Sequence, residues 1–164
     1  MKAVYTGTFD PITNGHLDII ERASRMFDEV TVLIMQNPNK RCVYTALERQ
    51  TMIEKSLHSI PGVNNVNVLI GEGLTVEMAR KLGAVAIIRG IRAVSDYEYE
   101  LKQATANMKL NPNIETMLII ARPEYSFLSS SVVKEIAAYG GNIEGMVPEA
   151  IIDEVREKLQ GLNK

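Results

Sequence analysis

The sequence predicts an α/β protein: a single doubly wound domain whose five-stranded parallel sheet carries helices on both faces. Three observations lead there. Short β-branched runs alternate with longer helical patterns from the first residues to about Gly141, the rhythm of repeated βαβ units. The strand candidates are near-continuous apolar runs rather than alternating ones, as strands covered on both faces require. Only a few turn residues separate one element from the next, with no long linker, low-complexity tract or close internal repeat. The 164 residues, 1–164, fit one compact domain large enough to bury a real core.

Each element has its own signal. The first strand is AVYT at 3–6, and TGTFDPITNGH at 6–16 follows it as a strand-to-helix turn. In the helix beyond, Leu17, Ile20, Ser24 and Phe27 fall near helical spacing and predict one buried stripe. EVTVLIM at 29–35 is the second strand. The next helix opens on Thr45-Ala46-Leu47-Glu48, a capping-box pattern, and runs to about His58 before Pro61-Gly62 stops it. VNVLI at 66–70 leads to a helix over 75–82 with Gly83 as its C′ residue. AVAIIR at 84–89 leads to a helix over 95–109, ahead of Asn111-Pro112. ETMLIIA at 115–121 is the fifth strand; the serines of SFLSSSVVKEIAAYGG then precede a helical pattern that Gly140-Gly141 ends. Pro148 opens a last amphipathic helix with Ile151, Ile152, Val155 and Leu159 inward.

Composition excludes several classes of function. A net charge of −2 argues against a nucleic-acid partner held by a broad basic surface, so any cationic site is local. The single cysteine, Cys42, rules out an intrachain disulfide framework and a cysteine-built zinc site, and suits a reducing compartment. No apolar run approaches the roughly 18 residues of a membrane span, and Met1-Lys2 leads straight into a strand with no signal-peptide core. The expectation is a cytoplasmic protein with no membrane and no nucleic acid as partner.

In open parallel sheets ligands bind outside the carboxyl ends of the strands, near the switch in strand order. Thr8 and His16 follow the first strand, Lys40 and Arg41 the second, Leu74 and Thr75 the third, Arg89 and Arg92 the fourth, and Ser129 to Ser131 the fifth. Gly7 lets a ligand approach the backbone, and Asn14-Gly15-His16 sets an imidazole in the first turn of a helix, where free N–H groups attract phosphate. The plain alternative is a helix cap with an incidental histidine. Arg89-Gly90-Ile91-Arg92 brings two guanidinium groups to a strand end, which suits bidentate phosphate binding better than a solvated loop. Lys40, in NPNKR, is either solvated surface or a mobile charge for a developing anion. Asp96, Glu98 and Glu100 do not share one helix face, so they read as an exposed acidic helix start. Neither His16 nor His58 has a ligand partner at helical spacing, so any metal is Mg²⁺ brought by a nucleotide, with none held by protein side chains. Three consecutive serines exceed what one cap needs and suit a nucleotide phosphate, and no G-x-S-x-G elbow supports a serine nucleophile.

The string TGTFDPITNGH resembles the GH-ending phosphate-binding motif of the nucleotidyltransferase superfamily, and IRGIRAVSDYEYE (88–100) with EYSFLSSSVVKE (124–135) resembles the bacterial phosphopantetheine adenylyltransferase family in particular. The likeness spans essentially the whole chain; Thr6 departs from it, standing where that family usually has proline. It implies a Rossmann-like nucleotidyltransferase fold and transfer of the adenylyl group of ATP to 4′-phosphopantetheine, giving dephospho-coenzyme A and pyrophosphate. By motif position it implies that His16, Lys40 and Arg89 are catalytic and that Thr8, Lys40, Thr75 and Arg89 meet phosphopantetheine. It assigns Thr8, Phe9, His16, Gly90, Ile91, Arg92, Glu100, Tyr125, Ser126, Phe127, Leu128, Ser129, Ser130 and Ser131 to the ATP site. Mg²⁺ as cofactor, a homohexamer and feedback inhibition by coenzyme A are implied as well. The rivals are a nicotinate mononucleotide adenylyltransferase or a glycerol-phosphate cytidylyltransferase, which share the first motif, and a non-catalytic nucleotide or coenzyme A sensor on the same fold.

Overall fold

The computed structural model describes residues 1–36 and 41–161, so Lys40 lies outside the described residues. In chain order the elements are β1 (Lys2–Gly7), α1 (Asn14–Met26), β2 (Glu29–Met35), α2 (Ala46–Leu57), β3 (Val66–Gly71), α3 (Thr75–Lys81), β4 (Ala86–Ile91), α4 (Val94–Leu110), β5 (Glu115–Ile120), α5 (Ser130–Ala138) and α6 (Ile152–Gly161), with 3₁₀ turns at Pro123–Tyr125 and Glu149–Ile151. The five strands form one all-parallel sheet in the order β3-β2-β1-β4-β5. The predicted architecture is the observed one.

Local chemistry sets the element ends. At the head of α2 the Thr45 hydroxyl accepts from the Glu48 N–H (3.2 Å) and the Glu48 carboxylate accepts from the Thr45 N–H (2.7 Å), a complete capping box. At the tail of α5, Gly140 takes a left-handed φ of 75° and Gly141 sits so close to Ile136 that a Cβ would lie 2.6 Å from its Cγ2. A glycine pair thus serves two different needs, a reversed backbone and a tight contact.

The sheet is covered on both faces. One core joins Ala3, Tyr5, Val30, Val32, Ile34 and Ile88 of the strands to Ile20, Met52, Ile53, Val133, Ile151 and Val155 of the helices α1, α2, α5, α6 and the turn before α6. The other joins Val4 and Ile87 to Val76 and Ala79 of α3. Fully burying each of these larger aliphatic side chains contributes about 1.5–3 kcal/mol. The buried stripe of α1 differs from the expected one: Asp18, Ile19, Ile20 and Ala23 face inward, Phe27 caps the end, and Leu17 and Ser24 are only half-buried. Ile19 packs beside Gly90 of β4, its Cγ1 3.5 Å from where a Cβ would stand.

The chain winds outward from β1 through β2 to β3, then returns to β4 on the other side of β1. Pairing of β1 with β4 runs Ala3↔Ala86, Val4↔Ile87, Tyr5↔Ile88 and stops there, whereas β1 stays paired with β2 to Gly7↔Ile34. The sheet therefore opens at its carboxyl edge between β1 and β4, the switch point at which such folds bind ligands.

Candidate active site

A cavity of about 770 Å³ occupies that opening. Its first wall is the turn after β1. Gly7 is needed there for a reason internal to the chain: a Cβ would stand 2.9 Å from Cζ of Phe9, whose ring folds back over the end of the strand. Phe9 reaches that position through a left-handed φ of 50°, an uncommon conformation for a bulky residue. Its buried ring meets Tyr5 edge-on at 5.3 Å and His16 edge-on at 5.1 Å, so Phe9 supports the imidazole from below and has only its backbone to offer a ligand.

His16 is the third residue of α1 and takes the place that Glu or Gln holds in an ordinary capping box. The Thr13 hydroxyl accepts from the His16 N–H (3.3 Å), while the Thr13 N–H donates to His16 Nδ1 (3.1 Å). A backbone N–H can only donate, so Nδ1 is the acceptor and the proton of the neutral ring sits on Nε2. Burial first, then the nearby charges of Arg92 and Arg89, lower the His16 pKa from 6.5 to about 4. The ring is thus a neutral donor with a fixed tautomer.

The opposite wall carries the two arginines, each already paired with a carboxylate of α4. Arg89 donates from Nε and Nη2 to the two carboxylate oxygens of Glu100 (both 2.7 Å) and from Nη1 to the Thr6 carbonyl (2.6 Å) and hydroxyl (2.9 Å). The Thr6 carbonyl lies just past the end of the β1–β4 ladder, so the guanidinium takes over where the ladder stops. Among the described residues four of its five N–H groups are engaged, leaving one on Nη2. Burial alone lowers the Arg89 pKa, but the hydrogen bonds and charge of Glu100 outweigh it and hold the group above its ordinary value. Arg92 is likewise bidentate to Asp96 (2.9 and 3.1 Å) and donates to the Leu128 carbonyl (2.9 Å). Burial raises the Asp96 pKa, yet the Arg92 guanidinium and the Arg92 N–H overcome it and keep the carboxyl below the usual range. Glu100, expected on an exposed acidic helix start, is buried, the one buried residue of α4, because its carboxylate neutralises Arg89.

The remaining predicted residues divide between the cavity and its surroundings. Thr8, Phe9, His16, Thr75, Arg89, Gly90, Arg92, Glu100, Tyr125, Leu128, Ser129 and Ser130 line it; Ile91, Ser126, Phe127 and Ser131 do not. Ser129 caps α5 by accepting from the Val132 N–H (3.1 Å), and the Ser130 hydroxyl donates to the Pro11 carbonyl (2.7 Å), so two of the three serines already have structural bonds. Sequence reading passed over Tyr5, Asp96, Tyr99, Gln103 and Asn107, which also line the cavity, and two supports beneath it. Arg49, buried in α2, donates from Nη1 to the Thr8 carbonyl (2.6 Å). Asp10, buried in the first motif, accepts from the Val43 and Tyr44 N–H groups and pairs with Lys134. An arginine on the inward Arg49, Met52, Ile53, Ser56 stripe of α2 is the signal that would have found the first.

Comparisons with known proteins agree with this fold. Residues 4–136 match the family described as Cytidylyltransferase-like, so fold and crevice define a protein of the nucleotidyltransferase class. Its curated relatives include the phosphopantetheine adenylyltransferases of Dictyoglomus thermophilum (49% identical over 97% of this chain and 95% of that one), Finegoldia magna (46%, over 96% and 96%) and Clostridium kluyveri (48%, over 96% and 94%). The chain belongs to the phosphopantetheine adenylyltransferase family. Among solved structures it resembles in fold a bifunctional NMN adenylyltransferase/ADP ribose pyrophosphatase from Francisella tularensis (TM-score 0.74, 15% identity, 99% of this chain and 52% of that one). It likewise resembles the Plasmodium falciparum nicotinic acid mononucleotide adenylyltransferase complexed with NaAD (TM-score 0.70, 16% identity, 99% and 95%).

Proposed function

We propose that this enzyme transfers the adenylyl group of ATP to 4′-phosphopantetheine, giving dephospho-coenzyme A and pyrophosphate, by direct in-line attack. The observation that carries the mechanism is His16: a neutral imidazole with its Nε2 proton fixed by Thr13, at the head of α1 and at the switch point. A terminal phosphate oxygen of the acceptor forms a new bond to the α-phosphorus as the bond from that phosphorus to the bridging oxygen of pyrophosphate breaks. The attacking phosphate is already anionic, so no general base is needed, and catalysis reduces to positioning and charge stabilisation. His16 donates from Nε2 to the α-phosphoryl oxygens as charge builds on them.

Arg89, Thr75 and Thr8 would hold the acceptor, a role that motif position also gives Lys40; the turn at Thr8 and Phe9, Gly90 to Arg92, and the segment from Tyr125 to Ser131 would hold ATP. Glu100 acts here through Arg89, which its carboxylate aims. Mg²⁺ enters as part of Mg·ATP. Asp96 and Glu100, the carboxylates that line the cavity, are each taken by an arginine and do not suit a resident metal. The reading extends to a cytoplasmic homohexamer under feedback inhibition by coenzyme A. The exposed Leu101, Met108 and Leu110 of α4 give an assembly apolar surface to bury, and coenzyme A carries both the adenosine and the pantetheine portions the cavity would accept.

The test is pyrophosphate release from Mg·ATP by the purified protein, with 4′-phosphopantetheine, with nicotinate mononucleotide or glycerol phosphate, and with no acceptor. Release with 4′-phosphopantetheine alone is expected. Release only with another acceptor would move the substrate while keeping the chemistry, and ATP binding without any release would favour a sensor.

A further inference from the structure

Adenylyl transfer as described uses the surfaces of the cavity and leaves a buried charge unexplained. Asp10, with its side chain only 4% exposed, stands two residues after Thr8 in the turn that follows β1. Its Oδ1 accepts from the Tyr44 N–H (3.0 Å), and its Oδ2 accepts from the Val43 N–H (3.1 Å) and from Lys134 Nζ on α5 (2.9 Å). One residue further on, the Pro11 carbonyl accepts from Ser130 Oγ at the start of the same helix (2.7 Å). The carboxylate therefore joins three separate stretches of chain: the turn bearing Thr8, the 43–44 backbone and α5.

Stability alone does not account for a carboxylate at this place. A buried ion pair is commonly no more stabilising than well-packed apolar side chains of the same volume. Directionality is what an apolar residue cannot supply: three charge-assisted bonds fix three segments in one relative geometry. Two of those segments line the cavity side by side, the turn carrying Thr8 and Phe9, with His16 just beyond it, and the α5 start carrying Ser129 and Ser130.

We propose that Asp10 is a positioning residue, a clasp that locks the α5 start and the 43–44 backbone onto the Thr8 turn and so sets the shape of the wall that receives the nucleotide phosphates. The proposal rests on the adenylyltransferase reading above. Its effect falls first on the nucleotide, because the bonds of Asp10 run to the 43–44 backbone and α5 and not to β4 or α3, which carry Arg89 and Thr75, and leave the Thr8 turn as the one acceptor contact shared with the clasp. Misplacing one wall by a fraction of an ångström to 1 Å is enough to cost about 10- to 100-fold in rate.

The experiment compares wild type with Asp10→Asn, Lys134→Met and the double variant. It measures Mg·ATP affinity by calorimetry, pyrophosphate release with 4′-phosphopantetheine, and thermal unfolding. In each single variant the Kd for Mg·ATP is expected to rise and kcat to fall by about tenfold, with the acceptor KM within about twofold of wild type. The double variant should be no worse than either single one, since both ends of one bond are then removed. A Kd for Mg·ATP and a kcat within twofold of wild type, with only the unfolding temperature lowered, would overturn the proposal and leave Asp10 a purely structural residue. Should Asp10→Asn fail to fold, Lys134→Met decides the question alone. A wild-type protein that binds Mg·ATP but releases no pyrophosphate would overturn the acceptor reading and not the clasp, which the difference in ATP affinity would still decide.

Discussion

Consider the titration of His16 in the substrate-free enzyme. Burial and the charges of Arg92 and Arg89 lower its pKa from 6.5 to about 4. A group with that pKa is charged in only about 0.1% of molecules at pH 7 and about 10% at pH 5, whereas an unperturbed histidine is about a quarter charged at pH 7 and almost fully charged at pH 5. The assay is a proton–nitrogen NMR titration of the imidazole resonances. The chain has only two histidines, and His58→Gln assigns the pair. The His16 signals should stay unchanged from pH 8 to 5, carry the pattern of an Nε2-protonated ring, and shift only toward pH 4. A midpoint near 6.5 or above would refute the argument, because the ring would then be hydrated rather than buried and the arginines screened by Glu100 and Asp96. Substrate must be absent: a bound phosphate raises the histidine pKa, and the acceptor phosphate itself titrates near about pH 6, which obscures a kinetic profile. The same shift makes a stability statement. With the folded pKa lowered, the unfolded chain takes up the proton first. His16 therefore contributes its full stability above pH 6.5 and loses it as the pH falls toward 4, at up to about 1.4 kcal/mol per pH unit, reduced because the ring is not sealed from cavity water. His16→Gln should remove that slope from denaturant unfolding curves. His16→Ala should lower kcat by about 10²-fold or more with little change in ATP affinity, the scale of one lost transition-state donor; a loss of binding without a loss of turnover would end the assignment.

Two further perturbations probe the walls of the site. Glu100→Gln leaves Arg89 without its counter-charge; since the Arg89 side chain is 26% exposed, the cost should be about 2–3 kcal/mol rather than the larger figure for a sealed pair. It should also raise KM for 4′-phosphopantetheine as the guanidinium loses its aim, so urea unfolding and steady-state kinetics both unchanged would count against Glu100 as the residue that orients Arg89. Gly7→Ala forces a methyl to within 2.9 Å of the Phe9 ring. Because that ring lies edge-on beneath His16, kcat should drop by at least about tenfold alongside about 1–3 kcal/mol of lost stability. A fully active Gly7→Ala enzyme would mean that Phe9 does not support the imidazole.

What the sequence made legible follows from which interactions are local. Parallel strands sealed on both faces must be runs such as EVTVLIM, and β2 matches that run residue for residue. Thr45 and Glu48 satisfy each other within one turn, so the start of α2 can be read without any tertiary knowledge. Topology then places the strand ends together, which is why twelve of the predicted residues line one cavity. Pairings between elements carry no such period. Whether Leu17 or Ile19 faces the sheet depends on what α1 packs against, and Ile19 lies beside Gly90, more than seventy positions away. Glu100 becomes a buried counter-charge only once α4 is packed beside β4, and Asp10 reveals its partners only when α5 closes over the turn.

These long-range pairings bear on how the cavity meets a highly charged ligand. Arg89 and Arg92 are each held bidentately by an α4 carboxylate, while His16 is neutral. Two unpaired guanidinium groups on flexible stems would bind phosphate only after losing about 2 kcal/mol of rotamer entropy each. Held by Glu100 and Asp96, they lose much of that freedom during folding instead. The same carboxylates temper the positive field, so the site attracts phosphate less strongly in the ground state than two bare arginines would. For the adenylyl transfer proposed above, only interactions that strengthen in the transition state accelerate the reaction, so a balanced site with one neutral donor would favour turnover over tight substrate binding.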